Sequence, residues 1–235
     1  MITIKNLHKK FGKLTVLDGL DLEIDRGGIF AILGPNGSGK TTLIKSILGM
    51  VIPNKGAISI DGKSVLKKWN YRNELNYLPQ IANFPANLSV IELIKMVKNL
   101  RPKASNEQEL IDLFGLSSFL NKKLGNLSGG TKQKVNLVLT FMFDSDLIIL
   151  DEPTTGLDPI ALIHLKELIQ KAKSEGKTIL ITTYIMSVVD ELADEIVFLL
   201  DGKIYFKGSV DALKTQTNQT NLEHAIAHLI SKQYA

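Results

Sequence analysis

The sequence predicts an α/β fold with a β-rich first part, a helical insertion, and a second part in which strands and helices alternate. The first part has four short runs with the alternation or apolar content of strands: 2–4, 16–24, 29–33 and 57–60. The second part has three apolar runs separated by helical patterns: 147–150, 178–181 and 196–200. Such runs are typical of strands buried on both faces, so a parallel sheet covered by helices is expected.

Helix start signals locate the segments between these strands. A helix over 40–49 is expected directly after a Gly-rich turn. Ser89 and Glu92 have the spacing of a capping box, and Ser105 and Gln108 repeat it. The segment that contains both signals is therefore interpreted as a helical insertion.

Two further helices are expected near the end of the chain. One begins at Pro159 with Asp158 as its N-cap, because proline is favoured at the first helical position. The other carries an apolar stripe that includes Leu222 and Ile226. The polar run 214–221 between them is interpreted as a connector.

The composition is that of an ordinary folded protein. Hydrophobic residues make up 44% and charged residues 22% of the chain, and the net charge of +4 is scattered along it, so no nucleic-acid surface is expected. The absence of cysteine fits a reducing compartment such as the cytoplasm. No signal peptide is recognisable, and no apolar run approaches the roughly 20 residues that cross a bilayer. A membrane role would therefore need a partner.

Residues 34–41 read Gly-Pro-Asn-Gly-Ser-Gly-Lys-Thr, which matches the phosphate-binding loop pattern and lies between an expected strand and helix. Backbone N–H groups of such a loop surround phosphate, and the following helix directs its positive dipole end at it. Lys40 is expected to neutralise phosphate charge, and Thr41 to ligate Mg²⁺. An ordinary Gly-rich turn is the alternative, which leaves the flanking context unexplained. The expected phosphate contacts are Gly34, Pro35, Asn36, Gly37, Ser38, Gly39, Lys40, Thr41 and Thr42.

Two carboxylates, Asp151 and Glu152, follow the apolar run 147–150. The carboxyl end of a buried strand is where open α/β sheets bind ligands. Asp151 is expected to hold Mg²⁺ through water, and Glu152 to act as the general base that polarises an attacking water. A solvated acidic turn is the alternative, and the phosphate loop upstream disfavours it.

Residues 127–133 read Leu-Ser-Gly-Gly-Thr-Lys-Gln. Ser128 can cap the helix that follows, while Gly129 and Gly130 leave its first N–H groups open to an anion. Because this sequence lies between a phosphate loop and paired acids, it resembles the signature of ABC ATPases. The resemblance extends from residue 1 to about residue 210.

The resemblance implies a P-loop NTPase core of the ABC ATPase type, with an N-terminal antiparallel β portion and a helical insertion subdomain. The implied boundaries are 1–80 and 125–210 for the nucleotide-binding core, 81–124 for the insertion subdomain and 211–235 for a C-terminal helical tail.

Roles for individual residues also follow from the resemblance. Phe11 would stack on adenine, and Gln80 would contact Mg²⁺ and report nucleotide state to the insertion. The signature would contact ATP held by a second, head-to-tail cassette, and Asp158 would lie in the loop that crosses that interface. Taken alone, a residue such as Phe11 is more often part of a core, and Gln80 would be a surface amide. Asp158 also fits a helix cap, and that role can coexist with a role at the interface.

The sequence departs from the family at one position. The family usually has a histidine that contacts the γ-phosphate where this chain has Tyr184. A tyrosine hydroxyl can donate a hydrogen bond but carries no positive charge at neutral pH. Intact ATP binding with weakened hydrolysis is therefore expected. The alternative is that the hydroxyl serves as a working substitute donor.

The implied function is that of an ATP-binding and ATP-hydrolysing ABC transporter subunit, which powers a separate membrane permease through ATP-driven dimerisation. A homodimer is favoured over a heterodimer, at the cytoplasmic face of the membrane. The tail around 221–226 resembles single-cassette subunits of bacterial export-type systems, and faintly those that mature copper enzymes such as nitrous oxide reductase.

Two alternatives remain open. A non-transport ABC ATPase of DNA repair or translation is disfavoured because the chain has neither a long coiled coil nor a second cassette. An ATP sensor is kept open by Tyr184 and disfavoured by the placed base Glu152.

Overall fold

The computed structural model describes residues 1–101 and 103–234, and it contains two sheets. The strands are β1 (Ile2–Phe11), β2 (Leu14–Ile24), β3 (Gly28–Leu33), β4 (Lys55–Ile60), β5 (Lys63–Ser64), β6 (Leu75–Leu78), β7 (Leu147–Asp151), β8 (Thr178–Thr182), β9 (Glu195–Leu200) and β10 (Lys203–Gly208). The α-helices are α1 (Lys40–Ile47), α2 (Val90–Leu100), α3 (Glu107–Leu113), α4 (Gly129–Phe141), α5 (Pro159–Ser174), α6 (Met186–Leu192), α7 (Val210–Thr217) and α8 (Leu222–Tyr234).

The sheets differ in strand direction. The smaller one has the order β2-β1-β4-β5 and is antiparallel. The larger one has the order β10-β9-β3-β8-β7-β6, in which only β10 is antiparallel to its neighbour. Since β8 lies between β3 and β7, the loops that follow these three strands meet at one edge of the sheet. The α/β fold with an N-terminal antiparallel portion is confirmed.

The large sheet is buried on both faces, as the apolar runs predicted. Along β3, Ile29, Ala31 and Leu33 pack into one core cluster with the helices. Phe30 and Ile32 face the opposite cluster, which includes the small sheet and α1. This two-sided burial holds the carboxyl ends of the central strands in place.

Most predicted helix starts are confirmed. Ser89 caps α2 in a reciprocal capping box with Glu92, and Asp158 caps α5, accepting from the Ala161 N–H at 2.9 Å. The second capping box is wrong. Asn106 is the N-cap of α3 without a side-chain bond, because the Ser105 hydroxyl donates to the Glu107 carboxylate instead, at 2.6 Å.

The connector over 214–221 is also wrong in its first half, because α7 continues to Thr217. Ser209 caps α7 by accepting from the Ala212 N–H at 3.1 Å, and Leu213 is buried in the core. The cap stabilises the start of the helix, and the buried leucine stabilises its packing. It ends at Asn218, whose φ of 53° is left-handed.

The described residues contain no helix long and apolar enough to cross a membrane.

Candidate functional site

The loop between β3 and α1 is shaped for close backbone approach. Gly34 has a φ of 149°, and a Cβ there would lie 1.9 Å from the carbonyl oxygen of Leu199, so no side chain fits. Gly39 is the N-cap of α1 and provides no capping side chain. The first N–H groups of α1 are therefore left for another acceptor, as phosphate binding requires.

Lys40 places its ammonium group at the centre of this loop. The group donates to the carbonyl oxygens of Gly34 (2.7 Å) and Pro35 (3.1 Å) and to the hydroxyl of Tyr184 (3.0 Å). These three bonds use all three of its protons. A phosphate oxygen that bonds Lys40 must therefore replace one of them.

Tyr184 is tied to the phosphate loop by more than Lys40. Its hydroxyl donates to the side-chain oxygen of Asn36. Its ring centroid lies 4.6 Å from the Lys40 ammonium, within the range of a cation–π contact. The residue at the position of the usual family histidine thus reaches the loop.

The two acids at the end of β7 are organised by a threonine that the sequence reasoning overlooked. Thr182 pairs with Asp151 in the parallel register of β8 and β7. Its hydroxyl donates to Asp151 Oδ1 at 2.6 Å and accepts from the Glu152 N–H at 3.0 Å. The available signal was a polar residue at the end of an apolar strand. Glu152 itself has a left-handed φ of 51°.

Three buried polar atoms around the loop lack hydrogen-bond partners among the described residues: Asp151 Oδ2, Glu152 Oε1 and Ser38 Oγ. Buried polar atoms are rarely left unpaired. Their clustering between the phosphate loop and β7 fits a site for a ligand with polar atoms of its own, such as a phosphate with its water or metal.

The donor set also fits Mg²⁺, provided that phosphate takes part. In residues 1–101 and 103–234, no group of three or more His, Cys, Asp or Glu side chains could hold a metal. Thr41 and Gln80 line the cleft, and Asp151 has an unpaired oxygen. Magnesium bound by few protein oxygens and by substrate phosphates is common.

The electrostatics of Glu152 suit a base that works near neutral pH. Burial is the main reason that its pKa is raised to about 7, and the charge of Asp151 adds to the increase. The Lys40 ammonium and the backbone N–H of Tyr184 oppose it, each lowering the pKa. A carboxylate with a pKa near the working pH can both take up and release a proton.

A cleft of about 310 Å³ joins most of the predicted site residues. Its lining residues are Phe11, Leu14, Val16, Asn36, Gly37, Gly39, Lys40, Thr41, Thr42, Gln80, Glu152 and Tyr184. Phe11 is 51% exposed at this cleft, so its interpretation as a core residue is wrong. The Lys9 ammonium lies over its ring, 4.7 Å from the ring centroid.

The signature lies elsewhere. Ser128 caps α4 by accepting from the Thr131 N–H at 3.2 Å. A Cβ at Gly130 would lie 2.6 Å from the carbonyl oxygen of Gly156, so this glycine allows the helix start to pack against the loop before α5. Lys134 pairs with Asp158 at 2.6 Å in the same area. Among described residues, the cleft lining includes none from the signature.

Two buried amides that the sequence analysis did not single out connect α4 to the cleft. Gln133 donates to the carbonyl oxygen of Pro153 at 3.1 Å, just beyond the two acids. Asn136 donates to the carbonyl oxygen of Pro79 at 3.1 Å, next to Gln80. Gln133 is the last residue of the signature 127–133, whereas the only sequence signal for Asn136 is polarity on a largely buried helix.

The phosphate loop, the paired acids and a separate glycine-rich helix start on this α/β fold define a nucleotide-binding cassette of the P-loop type. A sequence model of the family described as "ABC transporter" matches residues 17–155, and the chain belongs to that family. It is an ATPase and the ATP-binding component of a transporter.

Curated relatives agree with this assignment. The chain is 36% identical over 215 residues to the lantibiotic transport ATP-binding protein SrtF of Streptococcus pyogenes, covering 90% of this chain and 92% of SrtF. It is 34% identical over 218 residues to the Nod factor export ATP-binding protein I of Burkholderia lata, covering 90% of this chain and 72% of that protein.

Solved structures show the same fold. The ATP-binding subunit of an ABC transporter superposes with a TM-score of 0.91 and 31% identity, covering 98% of this chain and 99% of that chain. The dimeric cassette MJ0796, in a post-hydrolysis state with ADP and Pi bound, has a TM-score of 0.79 and 25% identity, covering 89% of this chain and 98% of that chain.

Proposed function

We propose that this chain hydrolyses ATP as the motor of a separate membrane permease, and that two copies close head to tail around two ATP molecules. One observation carries the proposal. The cleft contains the phosphate loop, Gln80 and Glu152, whereas the signature at Ser128–Gly130 lies outside it on the same chain. A second copy could supply that signature, and the similarity to a dimeric cassette supports this arrangement.

In this proposal, ATP lies with its adenine against Phe11 and its phosphates along residues 34–42. Lys40 neutralises phosphate charge after giving up one of its present bonds. Bound Mg²⁺, held by Thr41, Gln80 and Asp151, would supply further neutralisation of the phosphates. Glu152 takes a proton from the attacking water, which its pKa of about 7 allows near neutral pH.

In this proposal, the second copy completes the site with its signature and with Asp158. The N–H groups that start α4 face the γ-phosphate through Gly129 and Gly130, and Ser128 fixes the helix start. Asp158 then lies at the interface, held by its cap to α5 and its ion pair with Lys134. Loss of the γ-phosphate removes the anion that both copies share, so the dimer opens.

Tyr184 is proposed to slow hydrolysis without preventing ATP binding. Its hydroxyl binds Lys40 and Asn36, both in the phosphate loop. Bound nucleotide must therefore displace the Tyr184 hydroxyl from these contacts. The displaced hydroxyl can donate a hydrogen bond to the nucleotide, but it carries no positive charge. This substitution also keeps open a second candidate function, in which the chain senses ATP with little turnover.

The permease is proposed to dock on the groove between Gln80 and the insertion, with 81–124 acting as a separate subdomain and 211–235 as a tail. An exposed apolar residue next to Gln80 supports this groove, since Ile81 is 74% exposed. The names of the two relatives, one in lantibiotic transport and one in Nod factor export, support an export system. The chain would thus be cytoplasmic and peripheral, attached to the membrane through the permease. A role in the maturation of copper enzymes, which the tail around 221–226 faintly suggests, stays a prediction.

The test is Mg²⁺-dependent ATP hydrolysis by the purified chain beside Tyr184→His and Glu152→Gln variants, at concentrations that permit dimerisation. The proposal expects slow turnover that Glu152→Gln abolishes and Tyr184→His increases. Turnover unaffected by Tyr184→His makes tyrosine a working substitute and overturns the slowing role. Binding of ATP without turnover by all three proteins supports the sensor instead.

A further inference from the structure

The loop between β5 and β6 concentrates positive charge around an exposed aromatic residue. From 62 to 73 the chain carries four basic residues and no acidic one. Trp69 is 71% exposed, and three of the basic residues around it, Lys63, Lys67 and Lys68, are exposed as well. We name residues 63–72 the basic–aromatic loop.

This loop is fastened to the core and is not a free linker. Val65 is buried, and its N–H donates to the carbonyl oxygen of Ile58 at 3.0 Å. The Tyr71 hydroxyl donates to the carbonyl oxygen of Ile47 at 3.0 Å, at the end of α1. These contacts hold the backbone that carries Trp69 and the neighbouring lysines.

The charges of the loop are not balanced by its surroundings. The loop borders a groove of about 710 Å³ that is also lined by Asp61, Glu74 and Asp146. Each of these acids has a cation elsewhere. Asp61 lies 2.8 Å and Asp146 3.7 Å from Arg26, and Glu74 lies 3.0 Å from Lys103.

The lysines of the loop, in contrast, have no such partners. Across the part of the chain that the structure describes, no ion pair or hydrogen bond engages the side-chain nitrogen of Lys63, Lys67 or Lys68. The groove edge thus carries three uncompensated positive charges beside an exposed indole, which is complementary to an anionic partner.

We propose that the basic–aromatic loop contacts the anionic headgroups of a membrane leaflet. Tryptophan and tyrosine prefer the interface between headgroups and acyl chains, and lysines near such a surface are attracted to its negative potential. A lysine is a compact point charge suited to this diffuse field, whereas defined carboxylates on a protein favour the fork of arginine. The one arginine of the loop, Arg72, is bonded to the carbonyl oxygen of Gly49 at 3.1 Å.

The placement of the loop agrees with this proposal, which rests on the proposed permease docking at the insertion. Arg101 at the end of α2 donates to the carbonyl oxygen of Asn73 at 2.6 Å, so the loop adjoins the insertion. Leu100 beside it, at the end of α2, is 76% exposed. A cassette that docks on the permease through its insertion would bring the loop close to the lipid that surrounds the permease.

Trp69 is the only tryptophan of the chain and reports directly on this contact. The purified full chain, without permease, is mixed at low salt with vesicles of phosphatidylglycerol and phosphatidylcholine, or with phosphatidylcholine alone. We expect at least about tenfold stronger binding to the anionic vesicles, with a blue shift of the emission and weakening in high salt. Equal binding to both vesicle types, or an unshifted emission, would overturn the proposal.

A matched pair of variants separates the loop from net charge. Lys63→Gln, Lys67→Gln and Lys68→Gln together should reduce anionic-vesicle binding to near the phosphatidylcholine level. The same three-charge change at Lys5, Lys95 and Lys171, exposed on other parts of the chain, should leave most of the binding. An equal loss in both triple variants contradicts the assignment to the loop.

Two further measurements distinguish the remaining outcomes. An emission shift produced by a polyglutamate peptide but not by anionic vesicles assigns the loop to an acidic protein segment and overturns the membrane proposal. ATP hydrolysis should be unchanged in both triple variants, because these lysines lie outside the cleft. Vesicle binding by a chain that lacks ATPase activity would leave this proposal standing while the motor proposal fails.

Discussion

Two helix starts in this chain present backbone N–H groups to an anion, and they are built differently. The start of α1 has no capping side chain, and Lys40, Glu152 and Gln80 surround its cleft. The start of α4 is capped by Ser128, and among the described residues none of the signature lines that cleft. The first therefore carries its own reacting groups, whereas in the proposed dimer the second would bind an anion that the other chain holds.

The largest effect should come from removing the base on the α1 side. Glu152→Gln keeps the shape of the side chain but cannot accept a proton, so kcat should fall by roughly 10²–10⁴ while ATP binding remains. Phosphate release and nucleotide binding measure the two quantities. Glu109→Gln, an exposed acid of α3, is the control and should behave like the unmodified chain.

Two neighbouring glycines sharpen the description of the α4 side. A Cβ at Gly130 collides with the loop before α5, whereas a Cβ at Gly129 meets nothing within 4 Å. Gly130→Ala should therefore lower the free energy of unfolding by about 1–3 kcal/mol. Gly129→Ala should leave it equal or raise it by up to about 1 kcal/mol, because alanine favours the helix. Chemical denaturation compares them, and equal stabilities would refute the close packing.

The pH dependence of hydrolysis tests Glu152 in another way. Its pKa of about 7 means that the active carboxylate form increases as pH rises. Between pH 6 and pH 8, kcat/KM should rise about tenfold if one ionisation controls it. A profile that is flat across this window, in a chain whose activity still depends on Glu152, would show that the raised pKa does not control the reaction.

The smallest effect should come from Tyr184→Phe. This change keeps the ring over Lys40 but removes the hydroxyl that accepts its proton at 3.0 Å. ATP should bind about 2–10-fold more tightly, because one competing hydrogen bond is lost. Titration with a fluorescent nucleotide measures the affinity, and weaker binding would show that the hydroxyl supports nucleotide binding.

The sequence was sufficient where local chemistry determines structure. The phosphate loop, the acids at the end of β7, and the caps Ser89 and Asp158 depend on neighbouring residues, and the structure has them where the spacing indicated. The strand β6 was missed because its four residues include the polar Asn76, which donates to the carbonyl oxygen of Phe143.

Long-range contacts were beyond the reach of local patterns. Thr182 organises both acids only because β8 lies beside β7, and that pairing joins residues 31 positions apart. Likewise, the contact of Tyr184 with Asn36 spans 148 positions. Ser105 shows the converse. Its spacing to Gln108 matches a capping box, but the Ser105 hydroxyl donates to the charged carboxylate of Glu107 instead.

Mixing two inactive variants tests the complementary helix starts most directly. Lys40→Ala disables the phosphate loop but leaves the signature, and Ser128→Arg blocks the signature but leaves the phosphate loop. A head-to-tail dimer of one variant with the other contains one intact composite site. ATP hydrolysis should therefore appear on mixing, although each variant alone is inactive. A mixture as inactive as its components, with both variants folded, would contradict the assignment of the two helix starts to opposite chains of one site.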